Sequence, residues 1–135
     1  NLRREAYVFV SSTLWQHDRW SLKNYSRADW QRNKSIASAA YYNPEQANSI
    51  GTEFTAQYLH FFDIDIQLTH VLIAGMCRNF QKDKETETTW VLRYGQNWDI
   101  KDRYTVGYNM GRKRAIYDGN PEYINFVGFN TSIKF

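Results

Sequence analysis

The chain has 135 residues, a formal net charge of +3 from 17 Lys and Arg against 14 Asp and Glu, and a mean hydropathy of −0.69. No segment approaches the roughly 20 consecutive apolar residues that a membrane-spanning helix needs, and the charge is too small and scattered to predict a nucleic-acid surface. Cys77 is the only cysteine, so an internal disulfide is excluded. Aromatic residues make up 17% of the chain, with 5 Trp and 10 Tyr, a content typical of transmembrane β-barrels that use them as interface girdles.

In chain order, the sequence predicts seven strands separated by turn signals. Their expected ranges are residues 5–14, 19–30, 50–61, 64–78, 89–98, 103–111 and a last strand that ends at Phe135. The expected connections alternate between short turns at 15–18, 62–63 and 99–102 and longer loops at 31–49, 81–87 and 112–121. This alternation is typical of barrels with tight periplasmic turns and longer extracellular loops.

A two-residue period gives these strands two unlike faces. In the last strand Val127, Phe129, Ile133 and the terminal Phe135 share one apolar face, an ending typical of outer-membrane barrels. The opposite, polar set is expected to point into a wet lumen: Arg27, Asp29, Glu53, Thr55, Gln57, Arg93, Asn97, Asn109 and Asn130. The sequence therefore predicts an all-β, antiparallel, up-and-down transmembrane β-barrel, located in the bacterial outer membrane.

Catalytic signatures are missing from the sequence, so we predict no enzymatic activity, no metal and no cofactor. His60 and His70 could meet across a hairpin as a metal pair, but interface or lumen histidines are the favoured interpretation. Asp63 and Asp65 share a face and could act as paired acid and base, but solvated turn carboxylates are favoured over that reading.

Two of the expected loops mix aromatic and acidic side chains. Tyr41 and Tyr42 precede Glu45, and the run Tyr117-Asp118 precedes Glu122 and Tyr123. Aromatic faces stack on sugar rings, and carboxylates bond to hydroxyls or attract amino groups. These loops are candidates for a sugar-handling surface, and the alternative is that the tyrosines belong to an interface girdle.

The order of several motifs resembles one family. Tyr-Tyr-Asn-Pro-Glu at 41–45 is followed by Arg-Tyr-Gly-Gln-Asn-Trp at 93–98, by Arg-Tyr at 103–104, by Tyr-Asp-Gly-Asn-Pro-Glu-Tyr at 117–123, and by a terminal strand ending in Phe. Together they resemble the C-terminal barrel of the export porins for poly-β-1,6-N-acetyl-D-glucosamine, a biofilm polysaccharide. The resemblance spans most of the chain and is densest over residues 93–135.

The resemblance implies an outer-membrane porin that exports partially de-N-acetylated polymer for biofilm formation. Residues 1–135 would then be the C-terminal portion of a barrel of about sixteen strands, with the earlier strands and a periplasmic repeat region upstream. The implied partners are the polysaccharide, outer-membrane lipid, and periplasmic export or modification proteins reached through the upstream region; nucleic acid is not among them. Polymer amines would meet the acidic candidates Asp29, Glu53, Asp118 and Glu122, with Tyr41, Tyr42 and Tyr117 beside the path.

Arg27 and Arg93 lie among the expected lumen residues of a chain that is net positive. An acidic path would therefore come from strands outside these residues, or else these arginines pair with Asp29 and Glu53. Two alternatives to the export porin remain at this point. One is another outer-membrane barrel, such as a cellulose-type exporter or a general porin. The other is a soluble β-barrel binding module or sandwich, in which the apolar faces would have to pack inward.

Overall fold

The structure, a computed structural model, describes residues 2–34, 46–81, 84–117 and 119–134. These residues form one seven-stranded sheet in which each strand pairs antiparallel with the next along the chain. The strands are β1 Leu2–His17, β2 Trp20–Lys34, β3 Gln46–Asp63, β4 Ile66–Gln81, β5 Glu87–Ile100, β6 Tyr104–Tyr117 and β7 Asn120–Ile133. The seven predicted strands and the up-and-down order are confirmed, and the first six strands are longer in the structure than predicted.

The connections lie at two ends of the sheet. Residues 18–19, 64–65 and 101–103 form short turns at one end, here named the turn end. Residues 35–45, 82–86 and 118–119 connect strands at the other, here named the loop end. Asp18, Lys101 and Asp102 have φ of 50°, 54° and 52°, the left-handed conformation that tight turns require.

The prediction of a long loop over 112–121 is wrong. The β6–β7 ladder continues to the pair of Tyr117 with Asn120, which leaves room for a two-residue connection only. Gly119 has φ 79°, which glycine adopts without strain and most other residues avoid. Pro121 is tolerated because it is the second residue of β7, next to the loop end, where a missing ladder donor disturbs the sheet least. Trp15 and Asp99, which the sequence placed in turns, lie in β1 and β5 instead.

The ladder register assigns every strand residue to one of two faces, because residues directly opposite each other point the same way. We name as inward the face that carries Asp29, Glu53 and two adjoining recesses. Large apolar side chains cover the opposite, outward face; Phe129, for example, is 81% exposed. All nine polar residues expected to point inward share the inward face. Phe135 lies outside the described residues.

The sheet has almost no apolar core of its own. Leu68 and Ile73 are the only buried hydrophobic residues in the described part of the chain, at 5% and 7% exposure. Within the same part, β1 and β7 do not pair with each other, so both edges of the sheet are open. None of the described residues forms a helix long and apolar enough to cross a membrane.

Candidate functional site

Arg27, Asp29 and Ser49 form a hydrogen-bonded triplet on the inward face that joins β2 to β3. The Arg27 Nε donates a hydrogen bond of 2.7 Å to Asp29 Oδ1, and Arg27 Nη2 lies 2.6 Å from the same oxygen. Ser49 Oγ donates to Asp29 Oδ2 at 3.0 Å. Both carboxylate oxygens of Asp29 are therefore engaged, and the expected pairing of Arg27 with an inward carboxylate is present.

Aromatic rings from β1 and β2 flank this triplet. The Arg27 guanidinium carbon lies 5.3 Å from the centre of the Tyr7 ring. The Phe9 ring centre is 6.4 Å from that of Tyr7 and 6.2 Å from that of Tyr25. Exposed ring faces on a polar wall are suited to contact with sugar rings. These aromatic residues were not among the site residues predicted from the sequence, although Tyr7 lies directly opposite Asp29.

Two adjoining recesses occupy the inward face. The larger, about 390 Å³, is lined by Arg27, Asp29, Ser49, Glu53, Cys77 and Lys113, among others. The second, about 320 Å³, shares Glu53, Val91 and Lys113 with the first and adds Arg93, Ile73, Ile124 and Phe126. Glu53 thus lies where the two recesses meet. The structure brings Asp29 and Glu53 into one recess, whereas the sequence placed them only on the same side of the sheet.

Charges are divided unequally between the two faces. Six strand carboxylates point inward, namely Glu5, Asp29, Glu53, Glu87, Asp99 and Glu122. Four described basic side chains share that face, namely Lys23, Arg27, Arg93 and Lys113, and Arg3 occupies a fifth inward position in the register. The described outward strand positions carry the arginines Arg4, Arg32, Arg78, Arg112 and Arg114. The inward strand positions therefore carry a small excess of acids although the chain as a whole is basic.

The structure places only part of the remaining predicted site. Glu122 is exposed on the inward side of β7, opposite Ala115 near the loop end. The backbone of Tyr117 pairs with Asn120. Tyr41, Tyr42 and Asp118 lie outside the described residues, and their roles stay predictions. Tyr123 points outward with its ring centre 6.2 Å from that of Trp90, in agreement with the interface-girdle interpretation.

His60 and His70, the two candidates for a metal pair, point outward and contact aromatic rings. The His60 ring stacks on Phe62 at 4.2 Å between centres. His70 Nδ1 lies 2.8 Å from the Tyr94 hydroxyl and 3.2 Å from Nε2 of Gln96. Within the described ranges no group of three or more potential metal ligands occurs. These contacts favour the interface reading of both histidines over a metal pair.

Asp63 and Asp65 lie at the turn end. The Asp63 Oδ1 accepts a hydrogen bond of 2.6 Å from the backbone N–H of Ile64. Both aspartates are exposed, as expected of solvated turn carboxylates.

Comparison with known proteins identifies the family. Residues 1–135 match the family model described as the PgaA membrane beta barrel domain. The chain belongs to this family. The resemblance found in the loop motifs and terminal strand is thereby confirmed.

Two curated relatives and one solved structure agree with this assignment. The poly-beta-1,6-N-acetyl-D-glucosamine export proteins of Escherichia coli K12 and O157:H7 are each 27% identical to this chain over 95 residues. The match covers 70% of this chain and 12% of each relative, so the chain corresponds to a small part of their length. The solved structure of a bacterial polysaccharide outer membrane secretin matches with a TM-score of 0.77 and 22% identity. That match covers 98% of this chain and 46% of the secretin chain and shows the same fold.

Membership of a membrane β-barrel family decides what the two faces contact. The outward face, with exposed residues such as Val127 and Phe129, contacts lipid, and the inward face lines the lumen. Bacterial barrels of this kind lie in the outer membrane, as predicted. The alternative of a soluble β-module is wrong, because the apolar side chains of the outward face stay on the surface instead of packing inward.

Proposed function

We propose that this chain forms part of an outer-membrane pore that exports partially de-N-acetylated poly-β-1,6-N-acetyl-D-glucosamine during biofilm formation. The observation that carries the proposal is the acid excess of the inward face, with Asp29 and Glu53 in one recess. Each de-N-acetylated sugar carries an amine that is cationic at neutral pH. An acidic wall raises the local concentration of such a polymer.

Transport requires weak binding at many places, because a polymer held tightly at one site would not leave. Arg27 already compensates Asp29 through two short contacts. Glu53 shares its second recess with Arg93 and Lys113. Both carboxylates are thus moderated by nearby cations, which is the balance expected of a path rather than of a storage site. Inward rings such as Tyr7 add stacking surface for neutral sugars.

We further propose that residues 1–135 are the C-terminal portion of a larger barrel of about sixteen strands. A bilayer does not tolerate open sheet edges, so β1 and β7 need partner strands to close the ladder. The 46% coverage of the matching secretin chain is in keeping with a larger barrel. A periplasmic region upstream would then receive the polymer from export or modification proteins. The proposed role is passage of the polymer, without a catalytic step.

The proposal is tested by neutralising inward acids in the full-length protein. Glu53→Gln combined with Glu122→Gln is expected to lower cell-surface polymer severalfold and to increase the polymer retained in the periplasm. The matched control is Asp63→Asn combined with Asp65→Asn, which removes two exposed turn carboxylates. Wild-type export by the inward variant, with equal barrel abundance in the membrane, would favour a general porin and contradict the proposal.

A further inference from the structure

The outward face carries a group of positively charged side chains near the loop end. Among the strand residues whose side chains the structure describes, its charged residues are the arginines Arg4, Arg32, Arg78, Arg112 and Arg114, apart from Asp63 beside a turn at the turn end. Each of the five lies within a few residues of the loop end of its strand. None of them forms an ion pair within the described part of the chain. We name these five residues the arginine belt.

The belt brings like charges close together. Arg4 lies directly opposite Arg32 across the β1–β2 ladder, an arrangement that destabilises a sheet when no anion lies between the charges. Arg112 and Arg114 are two residues apart on β6 and so point to the same side. Arg114 Nη1 donates to the backbone oxygen of Thr88, and Thr88 lies directly opposite Arg78. The belt therefore has two cationic clusters, one on β1–β2 and one on β4–β6, and among the described residues no carboxylate lies beside them on the same face.

Aromatic rings hold two of the belt guanidiniums against the outward face. The Arg32 guanidinium carbon lies 5.3 Å from the Trp30 ring centre, and that of Arg112 lies 5.2 Å from the Tyr123 ring centre. Trp and Tyr on a lipid-facing surface mark the level of the lipid headgroups. A charged side chain facing lipid is costly in the hydrocarbon and nearly free at the interface. Both arguments place the belt among headgroups rather than among acyl chains.

We propose that the arginine belt binds the phosphate groups of anionic lipid headgroups in the leaflet at the loop end. Arginine is suited to this ligand because its planar fork donates two parallel hydrogen bonds to a phosphate. A lipid with two phosphates could bridge the paired arginines within one cluster and relieve their repulsion. The proposal depends on the membrane placement of the outward face and is independent of what the barrel transports.

The test uses the full-length protein in dodecyl maltoside micelles, titrated with bis-phosphorylated lipid A and followed by native mass spectrometry. Monophosphorylated lipid A and zwitterionic phosphatidylcholine are the comparison lipids. We expect binding to fall in that order and to weaken as salt is added. The triple variant Arg32→Gln, Arg78→Gln and Arg112→Gln should bind bis-phosphorylated lipid A on the order of 100-fold more weakly, at about fivefold per arginine.

The matched control removes three cations from the turn end through Arg19→Gln, Lys101→Gln and Arg103→Gln, and should bind lipid A as the wild type does. The heat-modifiable mobility of the folded barrel on SDS gels checks that each variant is folded. If the triple variant fails to fold, the single variant Arg112→Gln gives the same comparison with a smaller loss. Equal weakening by the two triple variants, or equal binding of phosphatidylcholine and lipid A by the wild type, would overturn the proposal.

Discussion

Placing an arginine on either side of β6 tests which face of the sheet contacts lipid. Met110 points outward, is 46% exposed, and lies between Tyr94 and Val127 on the neighbouring strands. The preceding residue, Asn109, points inward between Gly95 and Gly128. The two positions share one depth and differ in the face they occupy, so the same substitution at each isolates the effect of the lipid.

Met110→Arg should cost about 2–4 kcal/mol, the penalty for arginine on the lipid face near the midplane of a barrel. At 1.4 kcal/mol per factor of ten, that is a loss of roughly 30-fold to 1,000-fold in the folding equilibrium. Asn109→Arg should stay within about 0.5 kcal/mol of the wild type, because the glycines beside it leave room for the longer side chain and the lumen is wet.

The assay is urea-dependent folding of the full-length protein into phospholipid vesicles, read from heat-modifiable mobility on SDS gels. Only the folded fraction enters the comparison, so the two variants need no functional assay. Equal losses at the two positions, or a larger loss for Asn109→Arg, would refute the assignment of the faces.

Two further pairs of substitutions test the packing and the electrostatics of the inward face. Gly107→Ala should destabilise the barrel by about 1–3 kcal/mol, because an added Cβ would lie 2.9 Å from the Gln96 backbone oxygen. Gly75→Ala is the control. Its added Cβ would lie 3.4 Å from the nearest atom, so it should be close to neutral in the same urea titration. Asp29→Asn should lower the cation selectivity of the pore in planar-bilayer recordings because it leaves Arg27 uncompensated, and Arg27→Gln should raise it; a shift of the same sign in both variants would contradict the pairing.

The faces of the sheet could be predicted because each strand alternates with a period of two. Along β2 the outward Trp20 and Leu22 and the inward Arg27 and Asp29 follow this period, and the structure keeps them there. The strand ends could not be predicted as well. The run from Arg112 to Tyr117 begins with three consecutive basic residues, which is typical of a loop, yet backbone pairing with β7 extends through it. Ladder hydrogen bonds form without regard to side-chain polarity.

The inward aromatic rings of Tyr7 and Phe9 could not be predicted from the sequence for a related reason. Both faces of β1 are apolar over residues 7–10, Tyr-Val-Phe-Val. The alternation of polar and apolar residues that identifies an inward position is therefore missing there. A register shift between Thr13 and Trp15 also changes which residues point outward near the end of that strand. Neither feature can be read from β1 alone, because both depend on its pairing with β2.

The charge on the inward face could be worked out only from the strand register, not from the composition. Composition gives a net charge of +3, and by itself that charge argues against a path for a cationic polymer. Assigning each charge to a face separates the belt arginines from inward carboxylates such as Glu53. The sequence could supply Asp29 and Glu53 as candidates, whereas their shared recess depends on the pairing of β2 with β3.

The central claim, that the inward face is the path of the polymer, is tested most directly by cross-linking during export. Ser49 lies in the larger inward recess, and the next residue, Ile50, points outward and is 56% exposed. A photoreactive side chain is placed at one or the other position in the full-length protein, and cells that are synthesising the polymer are irradiated. We expect adducts with the polymer at position 49 and with lipid at position 50. The account would be contradicted if no polymer adducts formed at position 49, or if they formed equally at positions 49 and 50.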